Sequence, residues 1–339
     1  MGSLKLLLGL IVVAVMAGIA LGSSARAAPE DATHREGVPD GEAERSPAAP
    51  SAPILAISAA GPRLVAVGDR GHVLLSDDEG ETWRQARAVP TRALLVAVAF
   101  SDARRGVAVG QGGVILRTVD GGDTWALQRP RDADSVLFAV AFVDARHGWA
   151  VGAFGLAFET TDGGVNWSRR EILPPDYADA HLNGIYRAWD GALVVVSEQG
   201  IILRSNVDAS AWEQGSVDYE GSLWGGLSNA DGSELVFGLR GSVRRRDEHG
   251  RWTAVTSGTP ESLSAGYAGA DGLVVLAGLN GAVVVSRDHG RTFEALPSFA
   301  AAHLNAVRPA GKGWIFGGAG GVSRQTLATV PVGAPSLVR

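Results

Sequence analysis

At 339 residues the chain is long enough for one large all-β domain or two ordinary ones. Forty-six glycines, 46% hydrophobic residues and only 6% aromatics suit many short strands joined by tight turns, and exclude a fold built of long helices. Thirty-six acids against 30 basic residues give a net charge of −6, a poor match for nucleic acid, and the lack of cysteine excludes disulfides and a lipidated N-terminal cysteine.

In chain order, Lys5 precedes an apolar run from Leu6 to Leu21, and small residues follow as far as Ala25-Arg26-Ala27. This layout predicts a secretory signal peptide over residues 1–27, cleaved after about Ala27, and hence a periplasmic or otherwise exported protein. The run falls short of the roughly 20 residues a spanning helix needs, with an uncleaved N-terminal anchor as the alternative. Residues 28–53 mix Pro, Ala and acids with no apolar period and carry a charge of −4, which predicts a flexible linker.

Beyond the linker the chain repeats. Two small residues three apart, followed by a β-rich run, recur as GDRG (68–71), GQGG (110–113), GAFG (152–155), SEQG (197–200), GLRG (238–241), GLNG (278–281) and GAGG (318–321). The steps are 42, 42, 45, 41, 40 and 40 residues. Each unit reads as four short strands, for example ALLVAVAF, GVAVG, GVILRTV and TWALQ. The expected fold is therefore all-β, a seven-bladed β-propeller over residues 54–339, with blades starting near Ile54, Leu94, Val136, Leu182, Leu223, Leu263 and Leu304.

The hairpin between the third and fourth strands carries the phrase Ser/Thr-x-Asp-x-Gly-x-Thr-Trp/Phe. Four copies are nearly complete, on Asp78, Gly80 and Trp83; Asp120, Gly122 and Trp125; Asp162, Gly164 and Trp167; and Asp288, Gly290 and Phe293. The Asp can hold its own turn, the Gly supplies a positive φ and the ring seals the blade edge. A residue that recurs around a ring has a scaffold explanation, since a catalytic group is needed once per site. The copies ending at Trp212 and Trp252 are degraded, and the seventh blade has none.

This phrase is the Asp-box, or bacterial neuraminidase repeat. The longer stretch LFAVAFVDARHGWAVGAFGLAFETTDGGVNW (Leu137 to Trp167), and GVAVGQGGVILRTVDGGDTW before it, resemble the photosystem II stability and assembly factor family. The resemblance implies a seven-bladed, exported, non-enzymatic assembly factor that needs no cofactor and binds an integral membrane protein, or its exported loop or tail, through an arginine-rich patch. The Ala, Arg and Gly bias resembles that of a GC-rich heterotrophic bacterium, so the expected partner is a membrane complex other than photosystem II.

Lys5 and Lys312 are the only lysines, so positive charge is almost wholly guanidinium, suited to forking onto carboxylates. Connections between early blades carry Arg87 and Arg92, Arg129 and Arg131, and Arg169 and Arg170, whereas the later ones carry none. With Arg70 and Phe154 at second-strand turns, these form the candidate partner-binding arc; Phe154 is read as equivalent to Asp69, Gln111 and Glu198. The competing explanation is a set of solvated arginines balancing Asp132, Asp134 and Glu171. Asp102 and Asp144 are read as closing their own turns, and Arg117, Glu159, Arg204 and Arg245, which share one register in successive third strands, as placed to pair between blades.

A sialidase-like or other glycan-acting or glycan-binding Asp-box propeller is the rival function. Its chemistry needs an arginine triad, a Tyr nucleophile with a Glu partner and an acid, from four available tyrosines, Tyr177, Tyr186, Tyr219 and Tyr267. The customary Arg-Ile-Pro is absent, the nearest text being Gly61-Pro62-Arg63-Leu64. The histidines show no metal-ligand spacing, and no catalytic, metal or small-molecule site is expected. The protein is expected to be a monomer.

Overall fold

Alternating small and β-branched residues, as in Leu95–Phe100 and Gly106–Gly110, pair as antiparallel strands. The computed structural model describes residues 41–298 and 302–327. The predicted signal peptide and residues 28–40 lie outside the described residues. Seven antiparallel sheets follow in chain order, spanning 54–85, 95–127, 137–170, 182–216, 223–255, 263–296 and 304–325. Six have four strands and the last has three. The first strands pack on one another around the ring, with Ile54–Ala60 of blade one against Leu304–Ala310 of blade seven, so the chain is a closed seven-bladed β-propeller. Second strands such as Gly106–Gly110 and Gly148–Gly152 are buried at every residue, because blades cover both of their faces.

Every first strand skips one residue in its pairing with the second strand. The skipped residues are Leu55, Val96, Phe138, Asn183, Trp224, Ser264 and Asn305, and all seven line the central channel, a cavity of about 190 Å³. A bulge re-aims a side chain, and here it does so once per blade. Three of them also join neighbours. Asn183 Nδ2 donates to the Leu223 carbonyl (2.9 Å), Ser264 Oγ to that of Leu304 (2.7 Å) and Asn305 Nδ2 to that of Ile54 (3.3 Å).

The Asp-box hairpins have one geometry. In blade two the Asp120 carboxylate accepts from Thr118 Oγ1 (2.8 Å), the Thr124 N–H (2.9 Å) and Thr124 Oγ1 (2.6 Å), while the Gly122 N–H donates to Thr118 Oγ1 (3.0 Å). Asp78, Asp162 and Asp288 repeat the pattern. Trp125 Nε1 donates to the Gly122 carbonyl at 2.8 Å. The box glycine packs on the preceding blade. Gly164 has φ 84°, and a Cβ there would stand 2.8 Å from Val107 of blade two.

Arginines tie blades one, two, four and five each to the one after it. Arg63, Arg117 and Arg245 donate to the carbonyls of Gly121 (3.2 Å), Gly163 (2.8 Å) and His289 (3.0 Å), the same position of the next blade's box. Arg204 reaches Glu234 of blade five at 2.8 Å. Glu159, read as an inter-blade partner, instead pairs inside its own blade, with His147 (2.9 Å) and Arg170 (2.7 Å). The turn aspartates behave as expected, since Asp102 Oδ1 accepts from the N–H groups of Arg104 and Arg105, and Asp144 Oδ1 from those of Arg146 and His147.

Residues 41–53, read from composition as part of a flexible linker, lie against the propeller. Ala49 is fully buried with Ile54 and Ile315. The Pro50 carbonyl lies so close to Gly321 that a Cβ there would be 2.1 Å from it. Arg308 Nε donates to the Ile57 carbonyl (3.1 Å), so blade seven is fastened to blade one by side chains and by this segment. One buried alanine and a few backbone contacts leave no periodic trace in a sequence, which is why composition misreads the segment.

Candidate functional site

Connections between blades share a face with the second-to-third strand turns, and the Asp-box turns lie on the opposite face. On the connection face the small residues of the recurring turn have a steric reason. A Cβ at Gly152 would stand 2.0 Å from the Val136 carbonyl, where the chain enters blade three. In the SEQG copy, Ser197 instead donates its hydroxyl to the corresponding carbonyl, that of His181, at 2.7 Å. Phe154 takes a left-handed φ of 53°, as do Arg70, Gln199, Arg240 and Asn280 at 50–56°. These residues, with Gly112, are its true equivalents, one place along from Asp69, Gln111 and Glu198. Its N–H donates to His181 Nδ1 (3.1 Å) and its ring packs on that imidazole at 4.6 Å, a bridge between blades three and four. Burial holds the His181 imidazole below its usual pKa.

The predicted arginine arc divides into three groups. Arg70, Arg87 and Arg92 are exposed at blade one, and the Arg87 N–H donates to the Asp123 carbonyl of blade two's Asp-box turn at 2.7 Å. Arg129 is half-buried, with its guanidinium 4.4 Å from the Phe158 ring centroid and donating to the Gly113 carbonyl (3.1 Å); burial lowers its pKa. Arg131 donates to the Pro90 carbonyl (3.1 Å), tying two connections together. Arg169 and Arg170 lie on the outer strand Ser168–Arg170 and not in a connection, and Arg170 is paired with Glu159.

The blade-one group is already occupied by the chain's own acidic segment. Arg70 Nη1 lies 3.2 Å from both carboxylate oxygens of Glu44, and Arg92 Nε donates to the Glu42 carbonyl at 3.0 Å. The Ala43 N–H donates to the Val89 carbonyl (2.8 Å), Gln85 Nε2 donates to the Glu44 carbonyl (2.7 Å), and the Arg45 guanidinium donates to the Arg87 carbonyl. Glu42, Glu44 and Arg45 are missing from the sequence prediction. Their signal was the charge contrast between the acidic 28–53 stretch and the arginine-bearing loops.

The residues lining the central channel include no carboxylate. Tyr186 and Glu234 do pair, with Arg204 and Arg246 on the same carboxylate, but they are buried between blades four and five. Burial, then the Glu234 charge, pushes the Tyr186 phenol well above its usual pKa, so it stays protonated and is no nucleophile. Among the described residues no group of three or more His, Asp or Glu is placed to hold a metal.

The sequence profile of the family described as photosynthesis system II assembly factor YCF48 matches residues 129–259, which span blades three to five. Over these residues the chain is similar to that family. Solved propellers of this type superpose on it. YCF48 bound to D1 peptide is 20% identical, covering 81% of this chain and 92% of its own with a TM-score of 0.65. YCF48 from Cyanidioschyzon merolae is 19% identical over 83% and 97%, with a TM-score of 0.66. The virginiamycin B lyase from Staphylococcus aureus is 14% identical over 82% and 96%, with a TM-score of 0.69. At these identities the superpositions show the shared fold, which hosts binding proteins and enzymes alike. No curated protein is significantly similar in sequence.

Proposed function

We propose that this chain is an exported, non-enzymatic binding propeller that holds an acidic segment of a membrane protein on the connection face of blade one and so assists assembly or stability of that protein's complex. The observation that carries this reading is the seat of residues 42–44, with the Glu44 carboxylate on Arg70 and the Glu42 backbone carbonyl on Arg92. A surface that holds an acidic stretch of its own chain has the geometry and charge to hold another. The complex of YCF48 with a D1 peptide supports a peptide ligand for a propeller of this type. A channel wall without carboxylates and a Tyr–Glu pair sealed between blades give a glycan-cleaving reading no support.

The test is crosslinking in the host cell followed by mass spectrometry, comparing the wild type with Arg70→Gln, Arg87→Gln and Arg92→Gln combined. Recovery of one integral membrane protein, lost in the variant, is expected. The same partners with both proteins, or no membrane protein with either, rejects the reading.

A further inference from the structure

Among the described residues five large apolar side chains are exposed, and all five fall in blades two to four. They are Trp189 (68%), Val207 (62%), Val119 (47%), Val165 (42%) and Leu127 (38%). Leu127 is on an outer strand; the other four stand on turns of the Asp-box face, away from the arginine cluster of blade one. Scattered singly around a ring they would need no explanation, but here they are gathered on one edge of one face.

Each of the four has an arginine beside it from the first-to-second strand region of its blade. Arg104 Nε donates to the Val119 carbonyl at 3.3 Å. The Gly163 N–H, in the same turn as Val165, donates to the Arg146 carbonyl at 2.7 Å. In blade four, a Cβ at Gly191 would touch both Val207 (3.5 Å) and Arg187 (3.6 Å), with Trp189 two residues away. Arg104, Arg146 and Arg187 are exposed, and none forms an ion pair among the described residues. The nearby carboxylates are used locally. Asp144 accepts from two N–H groups of its turn, Asp208 binds Ser210, and Asp190 pairs with Arg204. The corresponding turns of blades one and five also carry carboxylates, Asp77, Glu81 and Glu248, each beside an arginine or histidine, but among the described residues they expose no large apolar side chain.

We propose that this edge of the Asp-box face docks on an anionic lipid bilayer, Trp189, Val207, Val165 and Val119 entering the interfacial layer while Arg104, Arg146 and Arg187 meet the headgroups. Turn tips on one face of a propeller are nearly coplanar, which suits a flat surface better than a peptide. An exposed indole is at home at the lipid–water boundary, and guanidinium groups beside it add attraction for anionic headgroups that salt screens. The turns of blades one and five have no large exposed apolar side chain to insert, so contact is confined to the edge of blades two to four. The inference does not rest on the proposed peptide site, which lies on the other face.

Because the chain has no cysteine, Val207→Cys offers a single attachment point for an environment-sensitive dye. His249→Cys, on a turn of the same face without an exposed large apolar side chain, and Arg240→Cys, on the opposite face, serve as controls. The full chain is mixed with vesicles of phosphatidylcholine alone or with about a third phosphatidylglycerol. The dye at 207 should shift to the blue only with anionic vesicles, and the dyes at 249 and 240 should not. Arg104→Gln, Arg146→Gln and Arg187→Gln together should weaken the response at least about tenfold in lipid concentration. No shift at 207, an equal shift at all three positions, or a response that the triple variant leaves unchanged would overturn the proposal. Melting curves of the labelled variants separate loss of fold from loss of binding.

Discussion

The Tyr186 hydroxyl donates to Glu234 Oε2 at 2.8 Å, and this bond joins blade four to blade five. Glu234 is 2% exposed and also takes Arg204 and Arg246, so one carboxylate gathers donors from two blades. Tyr186→Phe should therefore cost about 1–3 kcal/mol by removing one donor from a buried charge. It should lower Tm and leave partner recovery intact. Unchanged Tm would mean that the remaining donors suffice.

Gly164→Ala should destabilise by roughly 2–4 kcal/mol, since alanine tolerates a left-handed φ poorly and its Cβ would press into Val107. Gly215→Ala, at a position with open space around it, is the control and should be nearly silent in the same denaturant titration.

The box aspartates make stability depend on acid. Burial pushes the Asp288 carboxyl up, but bonds from Ser286, Thr292 and the N–H of Arg291 more than offset this and hold its pKa at about 2. Asp78, Asp120 and Asp162 are lowered in the same direction. The unfolded chain takes up these protons first, so their contribution is complete above about pH 4 and is lost as pH falls through about 2. Tm followed from neutral pH downwards should decline most steeply in that window, and Asp288→Asn should flatten the decline.

Arg92 and Arg129 should separate binding from stability. Arg92→Gln should change stability by less than about 0.5 kcal/mol while reducing crosslinking to the partner. Arg129→Gln should cost about 1–2 kcal/mol, because it loses the Phe158 ring and the Gly113 carbonyl together. Loss of partner at unchanged Tm in the Arg129 variant would contradict this division.

Glu44→Gln should strengthen binding of an acidic peptide by about two- to fivefold, the worth of one exposed ion pair, since it releases Arg70. Fluorescence anisotropy with a labelled oligoglutamate at two salt concentrations reads the change, and a weakened interaction would show that Glu44 positions Arg70 instead of covering it.

The architecture was legible in the sequence because a repeat declares itself many times over. Leu182, Leu223, Leu263 and Leu304 start their blades as read, and Leu95 and Leu137 lie one residue from the predicted starts. The site was legible only in part. Arg87 and Arg129 look alike in a loop sequence, yet one is exposed and the other sits over Phe158, a difference set by the neighbouring blade. Phe154 was offset by one place because a left-handed φ, not residue type, marks its equivalents. Tyr186 and Glu234 are 48 residues apart, so only the ring brings them together.

The forward-reaching arginines give the ring a direction. Arg63, Arg117, Arg204 and Arg245 each need a partner made later in synthesis, so a blade leaving the ribosome stays incomplete until its successor emerges. Arg308 and Asn305 alone in this series look back, to Ile57 and Ile54. The seam between blades seven and one is thus the last joint to close, since its donors Asn305 and Arg308 are made after every other blade is in place.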